Sequence, residues 1–124
     1  MSKVLLIEDS TDIRKLFVRS LIKEGFEVSE ATEGKSSIIE AVRQKPDLIL
    51  LDIIMPGMDG VTALRHLKEL PETANIPVVM LTALAEDVPK TMNEPGLLNK
   101  ALAYWKKDDL IPRELVKRVK EILG

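Results

Sequence analysis

The sequence predicts an α/β domain in which a parallel sheet is covered on both faces by helices. Three observations carry that expectation. Leu48-Ile49-Leu50-Leu51 is a continuous apolar run bracketed by Pro46 and by Pro56-Gly57, too short for a free-standing helix and of the kind found in strands buried on both faces. Amphipathic stretches alternate with this and other strand-length runs, a spacing that implies right-handed crossovers between parallel strands. The central run ends in a carboxylate, Asp52, and open α/β sheets bind their ligands just outside the carboxyl ends of their strands.

Taken in order, Lys3 to Ile7 reads as the first buried strand. Ser10 or Thr11 can cap a helix with Ile13, Leu16, Phe17, Ser20 and Leu21 on one face, and Gly25 ends it. Phe26 to Ala31 is a shorter strand, after which Gly34 breaks the chain and Ile38, Ile39, Ala41 and Val42 line a second helix. After the central strand, Gly60 opens a third helix with Val61, Leu64, Leu67 and Leu70 inward, and Pro71 marks its end. Ile76 to Leu81 is a fourth strand. Between Leu84 and Asn99, Pro89 and Pro95-Gly96 interrupt the pattern, which predicts a short or broken helix. Ala101 to Lys106 reads as the fifth strand, and Pro112 starts a last helix with Leu115, Val119 and Ile122 on one face.

With 124 residues the chain is expected to form one domain, residues 1–124, large enough to bury a core without disulfides or a structural metal. There is no Cys, which excludes thiolate catalysis and Cys-ligated zinc. A net charge of −2 gives no whole-surface attraction to nucleic acid or anionic lipid. Lys100, Lys106, Lys117, Arg118 and Lys120 make the C-terminal part basic, but Glu114 and Glu121 interleave, so no direct nucleic-acid contact is expected. The first apolar run meets Glu8 and Asp9 too soon for a signal peptide or membrane span. The expectation is a cytoplasmic domain that does not enter a membrane. His66, the only histidine, falls on the third helix and reads as a surface residue.

The chemistry gathers at strand ends. Glu8 and Asp9 end the first strand, Asp52 the third and Thr82 the fourth, with Lys107 just past the fifth. Where those strands are neighbours, three carboxylates, a hydroxyl and an ammonium meet at one edge. Gathered carboxylates repel one another unless a cation neutralises them, and hard oxygen donors suit Mg²⁺. Such a set is what a phosphoryl group arriving on Asp52 requires, since its transfer depends on positioning and charge neutralisation.

In these motifs the chain resembles the receiver domains of bacterial two-component response regulators. The residues that carry the resemblance are Glu8-Asp9, the segment Asp47 to Asp52, the loop Met55-Pro56-Gly57-Met58-Asp59-Gly60, the segment Pro77 to Ala83, and Tyr104 three residues before Lys107. The resemblance implies a flavodoxin-like, doubly wound five-stranded parallel sheet of order 2-1-3-4-5 with five helices. It implies that Asp52 accepts phosphate from a sensor histidine kinase or phosphotransfer protein, and that Glu8, Asp9 and Asp52 hold Mg²⁺ with the carbonyl of Ile54. Thr82 and Lys107 would contact the phosphoryl group, with Thr82 and Tyr104 as a switch pair that remodels the surface for a downstream protein target. Ile54 and Leu84 would flank the phosphoryl group, where two apolar side chains cannot orient a hydrolytic water. The chain departs from the family between Thr82 and Lys107, where Glu94 to Ala103 stands in place of the usual glycine, small and acidic residues, and Asp108 follows Lys107 in place of the familiar proline. Lys106 rivals Lys107, but the spacing Tyr104-x-x-Lys107 favours Lys107, and strand alternation puts only one of the two on a given face.

Other readings follow from the same residues. An aspartyl-phosphate phosphatase of the haloacid-dehalogenase type needs its nucleophile Asp after the first strand with a second Asp two residues on, and Glu8-Asp9-Ser10-Thr11 does not match that pattern cleanly. For a flavin carrier the loop after the first strand lacks the Ser/Thr/Gly-rich phosphate cradle, and acidic Glu8 and Asp9 would repel an anionic cofactor. A receiver-like module that binds proteins without phosphorylation is the remaining alternative. The expectation is a signalling domain rather than an enzyme, acting alone as a monomer or weak dimer.

Overall fold

The computed structural model describes residues 2–55, 57–82, 100–107 and 110–124. Among them are five strands, β1 (Lys3–Ile7), β2 (Glu27–Ala31), β3 (Leu48–Asp52), β4 (Val78–Thr82) and β5 (Ala103–Lys106). Four helices accompany them, α1 (Thr11–Lys23), α2 (Gly34–Gln44), α3 (Gly60–Glu69) and α4 (Pro112–Leu123). The strands form one parallel sheet of order β2-β1-β3-β4-β5, as expected. The further helix expected between Leu84 and Asn99 lies outside the described residues.

Strand alternation divides the core into two layers. Leu5, Ile7, Ile49, Leu51, Val78 and Met80 pack under α2 and α3. Val4, Leu6, Leu48, Leu50, Val79, Leu81 and Trp105 pack under α1 and α4. The inner strands β1, β3 and β4 are buried on both faces, which is why their sequence is continuously apolar rather than alternating. Tyr104 packs with the α2–α3 layer and Trp105 with the α1–α4 layer, so the adjacent aromatics of β5 do face opposite ways. Arg118 of α4 lies 5.7 Å over the Trp105 ring, a cation–π contact.

The helices differ from expectation in which apolar residues turn inward. On α1, Phe17 and Leu21 make the buried stripe, and Leu16 is 47% exposed. On α2 the stripe runs through Gly34, Ser37 and Ala41 with Ile38 beside it, leaving Ile39 58% exposed. Residues one apart on a helix lie about 100° from each other, so of two adjacent apolar residues only one can sit at the centre of the stripe. Ser10 does occupy the N-cap of α1, but its side chain makes no capping hydrogen bond. Asp59 instead caps α3, its Oδ1 accepting from the Thr62 N–H at 2.8 Å. β4 starts at Val78 rather than Ile76, because Pro77 has no N–H to give a ladder; its carbonyl still accepts from the Ile49 N–H. β5 starts at Ala103 rather than Ala101.

The loop after α3 is closed by side chains. Buried Thr73 donates its hydroxyl to the Leu67 carbonyl at 2.6 Å, and Lys68 donates to the carbonyls of Ala74 and Ile76. Among the described residues no helix is long and apolar enough to cross a membrane.

Candidate functional site

The register of the sheet builds the site. Ile7 pairs with Leu51, so the next residues along, Glu8 and Asp52, leave β1 and β3 side by side. Glu8 continues Val4 and Leu6, and Asp52 continues Leu48 and Leu50, so both belong to the α1–α4 face of the sheet. Alternation along β5 places Lys107 on that face with Trp105, and Lys106 on the opposite face with Tyr104.

The side chains meet accordingly. Lys107 Nζ lies 2.7 Å from Glu8 Oε2, 3.0 Å from Glu8 Oε1 and 2.9 Å from Asp52 Oδ2. Glu8 and Asp52 are buried, and Lys107 keeps only 15% of its side chain exposed. Asp9 is exposed at the mouth of the site. Carboxylate oxygens of Glu8, Asp9 and Asp52 lie within 4.8 Å of one another.

Burial pushes the Asp52 carboxyl up to about 7, the Glu8 charge adds to the rise, and Lys107 offsets only part of it. Burial works against the Lys107 ammonium as well, yet its hydrogen bonds to Glu8 and Asp52 more than compensate and raise its pKa above the ordinary lysine value. Two buried carboxylates thus share one cation, and Asp52 stays short of positive charge. A cluster of hard oxygen donors in this condition fits a divalent ion such as Mg²⁺ and not a soft one.

The other expected residues fall around this cluster. Thr82 is buried at the end of β4, paired in register with Lys106, and Tyr104 shares its face of the sheet two residues back along β5. Burial raises the Tyr104 hydroxyl above its ordinary pKa. Ile54 lies two residues beyond β3 with its side chain 59% exposed, so an apolar group projects into solvent beside the site. Leu84 lies outside the described residues. His66 is exposed on α3 and takes no part.

Two residues contribute to the site in ways that the sequence did not reveal. Gly60 approaches the strand end so closely that a Cβ there would run into the Asp52 carbonyl oxygen and come within 2.7 Å of Ile53 Cα. Arg14 of α1 donates from Nη1 to the Glu8 carbonyl at 3.0 Å and from Nε to Glu30 at 3.1 Å. A cation near the N-terminus of a helix, against the helix dipole, is the signal that marks Arg14. The sequence marks Gly60 as a helix start within the loop motif, but nothing in it shows the close approach to Asp52.

The chain that builds this sheet edge is similar to known proteins. The chain is 37% identical over 121 residues to the phosphate regulon transcriptional regulatory protein PhoB of Escherichia coli, covering 98% of this chain and 51% of PhoB. It is 45% identical over 83 residues to the response regulator PleD of Caulobacter vibrioides, covering 67% of this chain and 18% of PleD. The chain therefore spans about half or less of the length of these curated relatives. Among solved structures, the chemotaxis response regulator CheY4 of Vibrio cholerae superposes with a TM-score of 0.84 at 28% identity over 98% of each chain. The receiver domain of the sensor histidine kinase PA1611 of Pseudomonas aeruginosa, with a magnesium ion coordinated in its active site cleft, superposes at 0.83 with 25% identity, covering 97% of this chain and 95% of that one. The family model described as response regulator receiver domain matches residues 4–111, a span that runs from β1 past Lys107 and takes in every residue of the acidic and lysine cluster. The chain belongs to the response regulator receiver domain family.

Proposed function

We propose that the chain, as a single receiver domain over residues 1–124, accepts a phosphoryl group on Asp52 from a phosphohistidine of a sensor histidine kinase or phosphotransfer protein. An Asp52 carboxylate oxygen attacks phosphorus, the P–O bond forms as the P–N bond breaks, and the histidine imidazole leaves. The observation that carries this reading is the Lys107 ammonium bound at once to Glu8 and Asp52, beside Asp9, at the carboxyl edge of the sheet. Such a cluster has a nucleophile, a fixed cation and a set of hard oxygen donors in one place.

Glu8, Asp9 and Asp52 would hold Mg²⁺, together with the Ile54 carbonyl. When bound, the ion supplies positive charge against the phosphoryl oxygens. The magnesium in the cleft of the Pseudomonas aeruginosa receiver supports that assignment. Lys107, released in part from Asp52, follows the new negative charge, and the Thr82 hydroxyl donates to a phosphoryl oxygen. Tyr104, on the same face of the sheet as Thr82, then repacks and changes the surface offered to a downstream protein.

The test is phosphorylation by acetyl phosphate, read by intact mass with and without Mg²⁺. The expected gain is one phosphoryl group, dependent on Mg²⁺ and lost in Asp52→Asn. A parent protein that gains nothing overturns the reading in favour of a module that binds without phosphorylation, and an Asp52→Asn variant that gains as much overturns the assignment of the residue.

A further inference from the structure

Of the three clustered carboxylates, Asp9 is the one without support. Glu8 accepts from Lys107 and from the Ser10 N–H at 3.3 Å, and Asp52 pairs with Lys107. Asp9 is exposed, and among the described residues its carboxylate has no hydrogen-bond or ion-pair partner. Its direction is therefore set by its backbone.

That backbone is held from one side chain. The Glu8 N–H still reaches the sheet, donating to the Ala31 carbonyl at 3.1 Å, but past Glu8 the chain turns away into α1 and the Glu8 carbonyl has no strand donor. Arg14 takes the donor's place, with Nη1 3.0 Å from that carbonyl oxygen. Its guanidinium is in turn fixed at Nε by Glu30 of β2, and its side chain is only 13% exposed. The planar fork of arginine lets one side chain make both bonds in fixed directions. Because the Glu8 carbonyl and the Asp9 N–H lie in one planar peptide, fixing the oxygen fixes the plane from which the Asp9 side chain departs.

We infer that Arg14 is a positioning residue, which locks the Glu8–Asp9 peptide against β2 and so aims Asp9 at the cation site. The inference rests on the magnesium reading proposed above. A clip that served only to join α1 to β2 would contribute to stability and leave cation affinity alone. An alignment role changes the affinity, in the way that outer-layer partners of metal ligands do.

The test is a Mg²⁺ titration of the intact chain followed by amide chemical shifts, with no phosphodonor present, on the parent, Arg14→Lys, Arg14→Ala and Lys15→Ala. Arg14→Lys keeps the charge and loses the fork. Both Arg14 variants are expected to raise the Mg²⁺ dissociation constant by about tenfold. Lys15→Ala removes an equal charge from an exposed side chain of α1 and is expected to change the constant by less than about twofold. At saturating Mg²⁺ the phosphorylation rate of Arg14→Lys should return towards that of the parent. Arg14→Lys titrating like the parent overturns the inference, as does Lys15→Ala weakening binding as much as Arg14→Lys, which would make the effect one of charge. Should Arg14→Ala fail to fold, Arg14→Lys alone decides. A parent whose amides near Glu8, Asp9 and Asp52 do not respond to Mg²⁺ defeats the magnesium reading itself, and this inference with it.

Discussion

Replacing Gly60 with alanine tests how the site is built without touching any of its charged groups. Gly60 is the first residue of α3 and donates its N–H to the Ile53 carbonyl at 2.7 Å, so the helix starts pressed against the end of β3. A Cβ at this position would run into the Asp52 carbonyl oxygen, and it would lie 2.7 Å from Ile53 Cα and 2.9 Å from the Asp52 carbonyl carbon. All three obstacles are backbone, which cannot swing aside as a side chain would. Carbon atoms pack at about 3.5 Å, so relieving the Ile53 contact alone requires a shift of roughly 0.8 Å. Overpacking of this kind costs about 1–3 kcal/mol, and a misplacement of about 1 Å at a reacting group can cost on the order of 100-fold in rate. Gly60→Ala should therefore lower the urea-derived stability by about 2 kcal/mol and slow phosphorylation by acetyl phosphate by one to two orders of magnitude. Gly57 is the control in the same loop. Its φ is +76° and a Cβ there would meet no atom within 4 Å, so Gly57→Ala faces only the left-handed backbone penalty of about 1–2 kcal/mol and should leave the rate nearly intact. If Gly60→Ala matches the parent in stability and rate, or if Gly57→Ala slows the reaction as much, the claim that Gly60 seats Asp52 is wrong.

Three further outcomes are expected. Asp52 has a folded pKa of about 7, above its ordinary unfolded value of about 3.9, so it contributes stability that is full below about pH 4 and lost as the pH rises through about 7. Urea midpoints measured in EDTA from pH 5 to 8 should fall more steeply for the parent than for Asp52→Asn, and equal slopes would refute the shift. Lys107→Ala strips the cation from two buried carboxylates and should cost about 3 kcal/mol at pH 8 and less at pH 5, where Asp52 is protonated, while Lys106→Ala on the opposite face should leave phosphorylation unchanged. Ile54→Asn combined with Leu84→Glu should speed loss of phosphate, each water contact contributing about tenfold, and a lifetime equal to the parent's at saturating Mg²⁺ would place its control elsewhere.

The sheet and the main cluster were legible because they rest on properties local to each segment. A strand buried on both faces must be apolar throughout, and the polar residue that ends it marks the edge of the sheet, so Glu8, Asp52 and Thr82 could be placed from Ile7, Leu51 and Leu81. Lys107 could be preferred to Lys106 on its spacing from Tyr104, alternation allowing only one of the two on a given face, and the ion pairs follow that choice. What was not legible depends on contacts across the sequence. Lys107 reaches a residue 99 positions away, and the Arg14 bond to Glu30 spans 16 positions and joins a helix to an edge strand. Periodicity placed Leu16 and Ile39 on inner faces, but the rotation of each helix about its axis is decided by the sheet beneath it, here in favour of Phe17 and Ile38. Gly60 looked like a helix start, and its closeness to Asp52 exists only once α3 has packed.

On the proposed function, the charge at the strand ends couples the cation to the nucleophile. Ionised, Glu8, Asp9 and Asp52 carry three negative charges against the single positive charge of Lys107, an excess of two in a site where two of the carboxylates are buried. Without a further cation the excess is reduced by a proton, and Asp52, whose pKa is the one pushed up to about 7, is where that proton resides. A protonated carboxyl is a poor nucleophile, so on the proposed function Asp52 is held partly in reserve near neutral pH. A divalent cation matches the excess of two and favours the ionised carboxylate by the same charge that displaces the proton. If the proposed Mg²⁺ site holds, cation binding and readiness of Asp52 are one equilibrium, and linkage requires that Mg²⁺ affinity rise with pH through about 7. On the proposed function the Lys107 ammonium, already in contact with Asp52, meets the negative charge that arrives with the phosphoryl group.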